Sequence, residues 1–204
     1  LFQRNGTPLH LLVDRSASGI QDAYCNSSSL ETKAAIREAE QRATMALFGL
    51  PDNCLRFHRF DEADDGQMTD SDANLCAVAD HIARIKPALV FLPHGNDSNS
   101  GHRTMCALYR RVAAATDRTM IAFLYKDPKT IAMRLDAYVG FDEPEFQWKC
   151  SLLRMHDSQH QRNLNTRNYG FDNHIRIVNA DAAATTRCAH PYAEAFEIEI
   201  SGRT

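Results

Sequence analysis

His94, Asp97, Asn99 and His102 lie close together in the stretch P-H-G-N-D-S-N-S-G-H-R that ends at Arg103. Imidazole, carboxylate and amide together can ligate a metal, move a proton and hydrogen-bond a developing charge. A second pair, His156 and His160 in H-D-S-Q-H, stands four residues apart. On a helix that spacing puts both rings on one face, within reach of one zinc. Asp157 follows His156 where the metalloprotease motif carries the longer Glu. The plainer expectation therefore places both histidines near a helix end, bonded to carbonyls. Other chemistries lack their motifs. There is no G-x-G-x-x-G, no G-x-x-x-x-G-K-[ST] and no G-x-S-x-G, so dinucleotide binding, triphosphate binding and a serine nucleophile elbow lose support.

The elements that must position these residues follow from hydrophobic periodicity. Ala88 to Leu92 is an apolar run ending at Pro93. It reads as a strand buried on both faces, with Leu89 to Phe91 central in a parallel sheet. Ligands of open α/β sheets collect beyond the carboxyl strand ends, so the four residues are expected to crowd one crevice. A helix is expected from there to about Ala115, and a strand over Ile121 to Tyr125. Upstream, Pro8 to Val13 reads as a strand. Glu31 to Phe48 reads as a helix with Ala35, Ala39, Ala43, Ala46 and Leu47 on one face and Gly49 as its cap. By spacing alone Arg37, Glu38, Glu40, Gln41 and Arg42 form a solvated face. Leu55 to Phe60 reads as a strand, the acidic run Asp61 to Gly66 as a turn, and Asp70 or Asp72 to Ile85 as a helix. Strands alternating with helices predict an α/β fold, Rossmann-like, with a mostly parallel sheet flanked by helices and right-handed crossovers.

The last third reads differently. Asp136 to Glu145 is expected to be a loop. Phe146 to Gln161 reads as one helix with Trp148, Leu152, Leu153 and Met155 inward. Arg162 to Asn173 reads as a loop. Tyr192 to Ile200 alternates strictly and reads as an edge strand with one wet face.

The chain has 204 residues, 44% hydrophobic and 24% charged, enough for one domain with a full core. Its formal charge of −3 gives no general attraction to nucleic acid. No apolar run approaches the ~20 residues of a membrane span. Six scattered cysteines without a C-x-x-C pair read as buried thiols in a reducing, cytoplasmic setting.

Five pieces, in order, resemble the LmbE-like, PIG-L-type zinc-dependent N-deacetylases. Arg37-Glu38-Ala39-Glu40 with the later Leu47 and Gly49 is similar to an R-x-x-E helix closing in L-G. Asp65-Gly66-Gln67-Met68 resembles a D-G-x-L/M turn. The crevice loop resembles the second signature. Trp148-Lys149 through His156-Asp157-Ser158-Gln159 resembles a K…H-x-S-Q helix, and Tyr192-Ala193-Glu194-Ala195-Phe196 a closing strand.

The resemblance implies a Rossmann-like domain that removes the acetyl group of an N-acetylated sugar or glycoconjugate, with zinc as cofactor. It implies His102 as a zinc ligand, Asp97 and Asn99 as catalytic positions, and Arg37 and Asp65 as substrate contacts. It also implies that the Arg37 guanidinium faces the same crevice as His102. The family's A-H-P-D-D motif, which supplies the other zinc ligands, does not occur here. It would precede a helix whose end Leu1 to Gly6 resembles. The expectation is therefore one deacetylase domain over 1–204 that lacks its first strand and metal-binding loop, and no bound zinc on these residues alone. Asn99 stands where the family often has histidine. An amide donates a hydrogen bond but carries no proton. The competing expectation is an inactive carbohydrate-binding or scaffold domain on the same fold. Substrate choice is assigned to Tyr24 to Ser29 and Asp136 to Glu145, and a homo-oligomer is left open.

Overall fold

The computed structural model describes residues 6–15 and 19–202. It forms two compact units, Leu1–Phe60 with Gln147–Asn173, and Asp61–Phe146 with His174–Thr204. The expectation for Leu1 to Gly6 lies, but for Gly6, outside the described residues.

In the first unit, strands β1 (Leu11–Asp14) and β2 (Leu55–His58) pair in parallel, from Leu11 opposite Leu55 to Asp14 opposite His58. Between them run the short helix α1 (Asp22–Cys25) and the long helix α2 (Leu30–Phe48). The Ser29 side chain caps α2 by accepting from the Thr32 N–H, and Gly49 closes it at φ 85°, a left-handed angle that favours glycine. The buried face of α2 differs from the expected one. Lys33, Ala34, Glu40 and Thr44 are buried, Ala35, Ala39 and Ala46 are exposed, and Leu47 is 51% exposed. Alanines contribute little area, so burial of this helix follows its polar contacts. Lys33 Nζ donates to Asp22 Oδ1 at 2.5 Å, and Glu40 accepts from Ser158.

The single helix expected over Phe146 to Gln161 is two: α5 (Glu143–Arg154) and α6 (Asp157–Arg167). The Met155 and His156 N–H groups donate to Leu152 and Leu153, both at 3.2 Å, three residues back. That tightened turn ends α5, and His156 at ψ 61° leaves the helical region. Trp148 is not inward. It is 48% exposed and packs on Phe48 with ring centroids 5.6 Å apart. The expected loop from Arg162 is helical to Arg167, and Asn168 then turns left-handed at φ 61°.

The second unit holds α3 (Asp72–Ile85), β3 (Leu89–Pro93), α4 (Ser100–Ala115), β4 (Met120–Tyr125), β5 (Ala137–Phe141), most of α7 (Phe171–Thr186) and β6 (Tyr192–Ser201). Its sheet runs β3-β4-β6-β5, with β3 parallel to β4 and β6 antiparallel to both neighbours. Leu92, Met120, Ala122 and Leu124 pack against Cys106, Tyr109 and Ala113 of α4. The Rossmann-like α/β class stands, since each parallel pair is linked by a helical crossover. Three expectations change. β3 is an edge strand among the described residues, and Phe91 is 46% exposed. β6 is interior, and Glu197 on its supposedly wet face is 8% exposed. Asp136 to Glu145 forms β5 and the start of α5 instead of a loop. Of the cysteines only Cys106 and Cys150 are buried, and Cys76 is exposed.

Candidate metal centre and polar cluster

The register of β3 on β4 builds the crevice. Pro93 pairs with Tyr125, so both chains leave the sheet side by side and in the same direction. Their loops stay joined: the Ser98 N–H donates to Lys129 at 2.9 Å, and the Ile131 N–H to Asn96 at 3.0 Å. Arg103 Nη1 donates to the Asp97 carbonyl at 2.8 Å. This framework brings Asp97, His102 and Asp127 together. One ligand atom from each lies within 4.8 Å of the others.

Asp97 has no exposed side-chain surface. Its Oδ1 accepts from the Asn99 N–H at 2.6 Å, and its Oδ2 lies 3.0 Å from His102 Nδ1. Burial by itself raises this carboxyl. The Asn99 N–H, His102 and Asp127 outweigh burial and hold it below the usual carboxylate range. An ionised Asp97 accepts, so His102 carries its proton on Nδ1. Asp127 Oδ2 lies 3.3 Å from the same nitrogen. His102 Nε2 makes no protein hydrogen bond among the described residues. Asn99 is the N-cap of α4, its Oδ1 accepting from the Gly101 N–H at 3.0 Å.

Asp65 lies on a turn brought to the start of α4. Gln67 bonds Ser100, and Thr104 Oγ1 donates to the Met68 carbonyl at 3.3 Å. Asp65 is exposed, and its Oδ1 accepts from the Gln67 N–H at 3.0 Å. Gly66 holds φ 73°. The turn is anchored by Asn74 of α3, 1% exposed, which accepts from the Asp61 N–H and donates to the Asp61 and Thr69 carbonyls.

His94 does not join the crevice set. The Asn96 N–H donates to its Nδ1 at 3.0 Å, so its proton faces Glu197, 3.2 Å away. Glu197 also accepts from the Arg134 N–H at 2.8 Å. A cavity of about 580 Å³ is lined by His94, Arg110, Arg134 and Glu197. Its arginines already spend their donors on Glu197 and Glu199, which leaves little to recognise a ligand.

Arg37 belongs to the first unit. Its Nη1 is buried without a hydrogen-bond partner. It lines a small pocket with Asp14, Arg15, Glu38, Gln41, Phe57 and His156. Burial, with a smaller push from Arg37, lowers the His156 imidazole to about 4. The ring is thus a neutral acceptor at physiological pH. Glu40 accepts from the Ser158 N–H at 2.6 Å and from its hydroxyl at 2.8 Å, capping the start of α6. Gln159 Nε2 donates to the Gly19 carbonyl at 2.9 Å. The R-x-x-E and H-x-S-Q pieces therefore meet. His156 is the N-cap of α6 and His160 sits 3.7 Å from Asp172; among the described residues the group of three or more metal-ligating side chains is the one at His102.

Asp127 is the residue that sequence reasoning missed. The strand-end rule that singled out Asp97 applies equally to β4, and Asp127 follows its last residue by two.

No family model and no curated protein sequence matches the chain. Solved structures do. The N,N'-diacetylchitobiose deacetylase of Pyrococcus horikoshii aligns over 97% of this chain and 75% of its own, with TM-score 0.78 and 16% identity. A deacetylase of teicoplanin biosynthesis aligns over 100% and 91%, with TM-score 0.71 and 13% identity. The 4-carboxy-2-hydroxymuconate hydratase GalB of a Pseudomonas putida strain aligns over 99% and 88%, with TM-score 0.67 and 13% identity. The chain therefore shares the fold of these three structures. At such identities the likeness is one of fold, and the hydratase has it too.

Proposed function

We propose that this chain carries the core of a metal-dependent N-deacetylase acting on an N-acetylated sugar or glycoconjugate. The observation that supports it most is His102, its Nδ1 bonded to Asp97 with Asp127 beside it and its Nε2 without a protein hydrogen bond among the described residues. An imidazole so held suits a metal, because its second nitrogen keeps its lone pair outward. His102 would hold zinc, and the resemblance assigns the other ligands to an A-H-P-D-D motif that these residues do not contain. Bound zinc supplies Lewis acidity to the scissile amide carbonyl.

The chain's own residues then divide the remaining work. Asp97 keeps His102 in the productive tautomer. Asn99 has committed its oxygen to the helix, so its Nδ2 is the group left to donate to a developing oxyanion. That donor does not titrate. Asp65 offers its second carboxylate oxygen to a sugar hydroxyl; in the first unit, Arg37 keeps a buried N–H without a hydrogen-bond partner, a donor of the kind that suits a substrate oxygen. A second reading, a binding domain without turnover, draws support from Asn99 standing where the family often has histidine.

Zinc analysis and acetate release from N-acetylhexosamine conjugates test the proposal in the full-length protein. The expected result is stoichiometric zinc and turnover, both lost in His102→Ala. Zinc and turnover that survive His102→Ala overturn the site. Sugar binding without acetate release favours the second reading.

A further inference from the structure

We infer that Asp127 is a positioning residue for the metal ligand: with Asp97 it clamps the Nδ1–H of His102 and thereby makes Nε2 the ligating nitrogen. The inference rests on the proposed metal role of His102 and deepens it. Three observations carry it. Asp127 Oδ2 and Asp97 Oδ2 stand 3.3 and 3.0 Å from the same nitrogen, Asp97 as its hydrogen-bond partner and Asp127 as a second carboxylate at ion-pair distance. The two carboxylates arrive from independent loops, each beyond the carboxyl end of a parallel strand. Asp127 is also fixed before it meets the ring, because its Oδ1 accepts from the Lys129 N–H at 2.6 Å and the Thr130 N–H at 3.1 Å. An Asx turn alone would use only Oδ1. Here the second oxygen is aimed at the imidazole as a consequence of the first being tied down. Carboxylate partners of a ligating histidine set its tautomer and raise its basicity, and losing one typically costs 10–100-fold in metal affinity.

The test is the tautomer of His102 by ¹⁵N NMR, together with zinc affinity, in the full-length protein and in Asp127→Asn. Asparagine keeps Oδ1 for the turn but turns an NH₂ donor toward Nδ1–H. The expected result is the Nδ1–H form in the parent protein. In Asp127→Asn the population shifts toward Nε2–H, and zinc binds about 10–100-fold more weakly. An unchanged tautomer and affinity in Asp127→Asn overturns the inference and leaves Asp127 a turn residue. An Nε2–H parent, or coupling of bound cadmium to Nδ1, overturns it without any variant, even if Asp127→Asn does not fold. Acetate release is read separately. A clamp that behaves as expected in a protein without turnover would sink the deacetylase reading and keep the inference.

Discussion

At the scale of single residues, two histidines show how surroundings assign roles that residue type does not. His102 is oriented by carboxylates. His156 is kept neutral by burial beside Arg37. The second case has a consequence for stability. The folded pKa, about 4, lies below the ordinary value near 6.5. Between these values the unfolded chain binds a proton that the folded one refuses, so stability rises with pH across that window. It is complete above about pH 6.5 and lost progressively toward pH 4. The full difference is up to roughly 3 kcal/mol. Denaturant unfolding at pH 7 and pH 4.5 should show a larger loss for the parent protein than for His156→Gln. Equal losses would mean that the ring is not shielded.

At the scale of elements, helix ends hold the site. Asn99 caps α4 and is also proposed as a donor to the reaction, and two substitutions separate these roles. Asn99→Ala should cost about 1 kcal/mol of stability, the ordinary worth of a cap. Asn99→Asp keeps the cap and cannot donate. It should unfold like the parent protein yet lose acetate release. Full activity in Asn99→Asp would confine the residue to capping. Glu40 caps α6 with two bonds to one buried carboxylate. Glu40→Ala leaves the Ser158 N–H and hydroxyl without that acceptor and should lower the unfolding free energy by roughly 2–4 kcal/mol. Glu40→Gln retains one acceptor oxygen and should lose less. A urea midpoint unmoved by either change would contradict this account.

At the scale of the whole molecule, the described residues contain no helix long and apolar enough to cross a membrane. Metal binding is then the coupling to global stability that can be read directly. A ligand of the folded state alone stabilises by about 2.7 kcal/mol at one hundred times its Kd. For a chain of this size that raises Tm by roughly 5–11 °C. Zinc should raise Tm by that order in the full-length protein, and a chelator should reverse it. His102→Ala should abolish the shift. A shift that survives in His102→Ala would place the ion elsewhere.

The sequence alone determined the α/β class, the ends of α2 and α3, the C-terminal end of α4, and the loop that leads from Asp97 to His102; α4 itself starts earlier than expected, at Ser100. These are local properties. Periodicity marks helices and strands, Ser29 and Gly49 mark the ends of α2, and a turn after an apolar run marks a carboxyl strand end. Only the tertiary structure decided partnership. An apolar run such as Leu89 to Phe91 is a strand in any position, and its number of neighbours is set by pairings distant in the chain. The glutamates of β6 look solvated until Glu197 meets His94 and Arg134. The alanines of α2 look like a core face until the polar side turns out to have partners, Asp22 and Ser158. Asp127 met the strand-end rule and was passed over for the same reason. A carboxylate after a strand is common, and it acquires meaning when the β3–β4 register sets it 3.3 Å from a histidine in the first turn of α4.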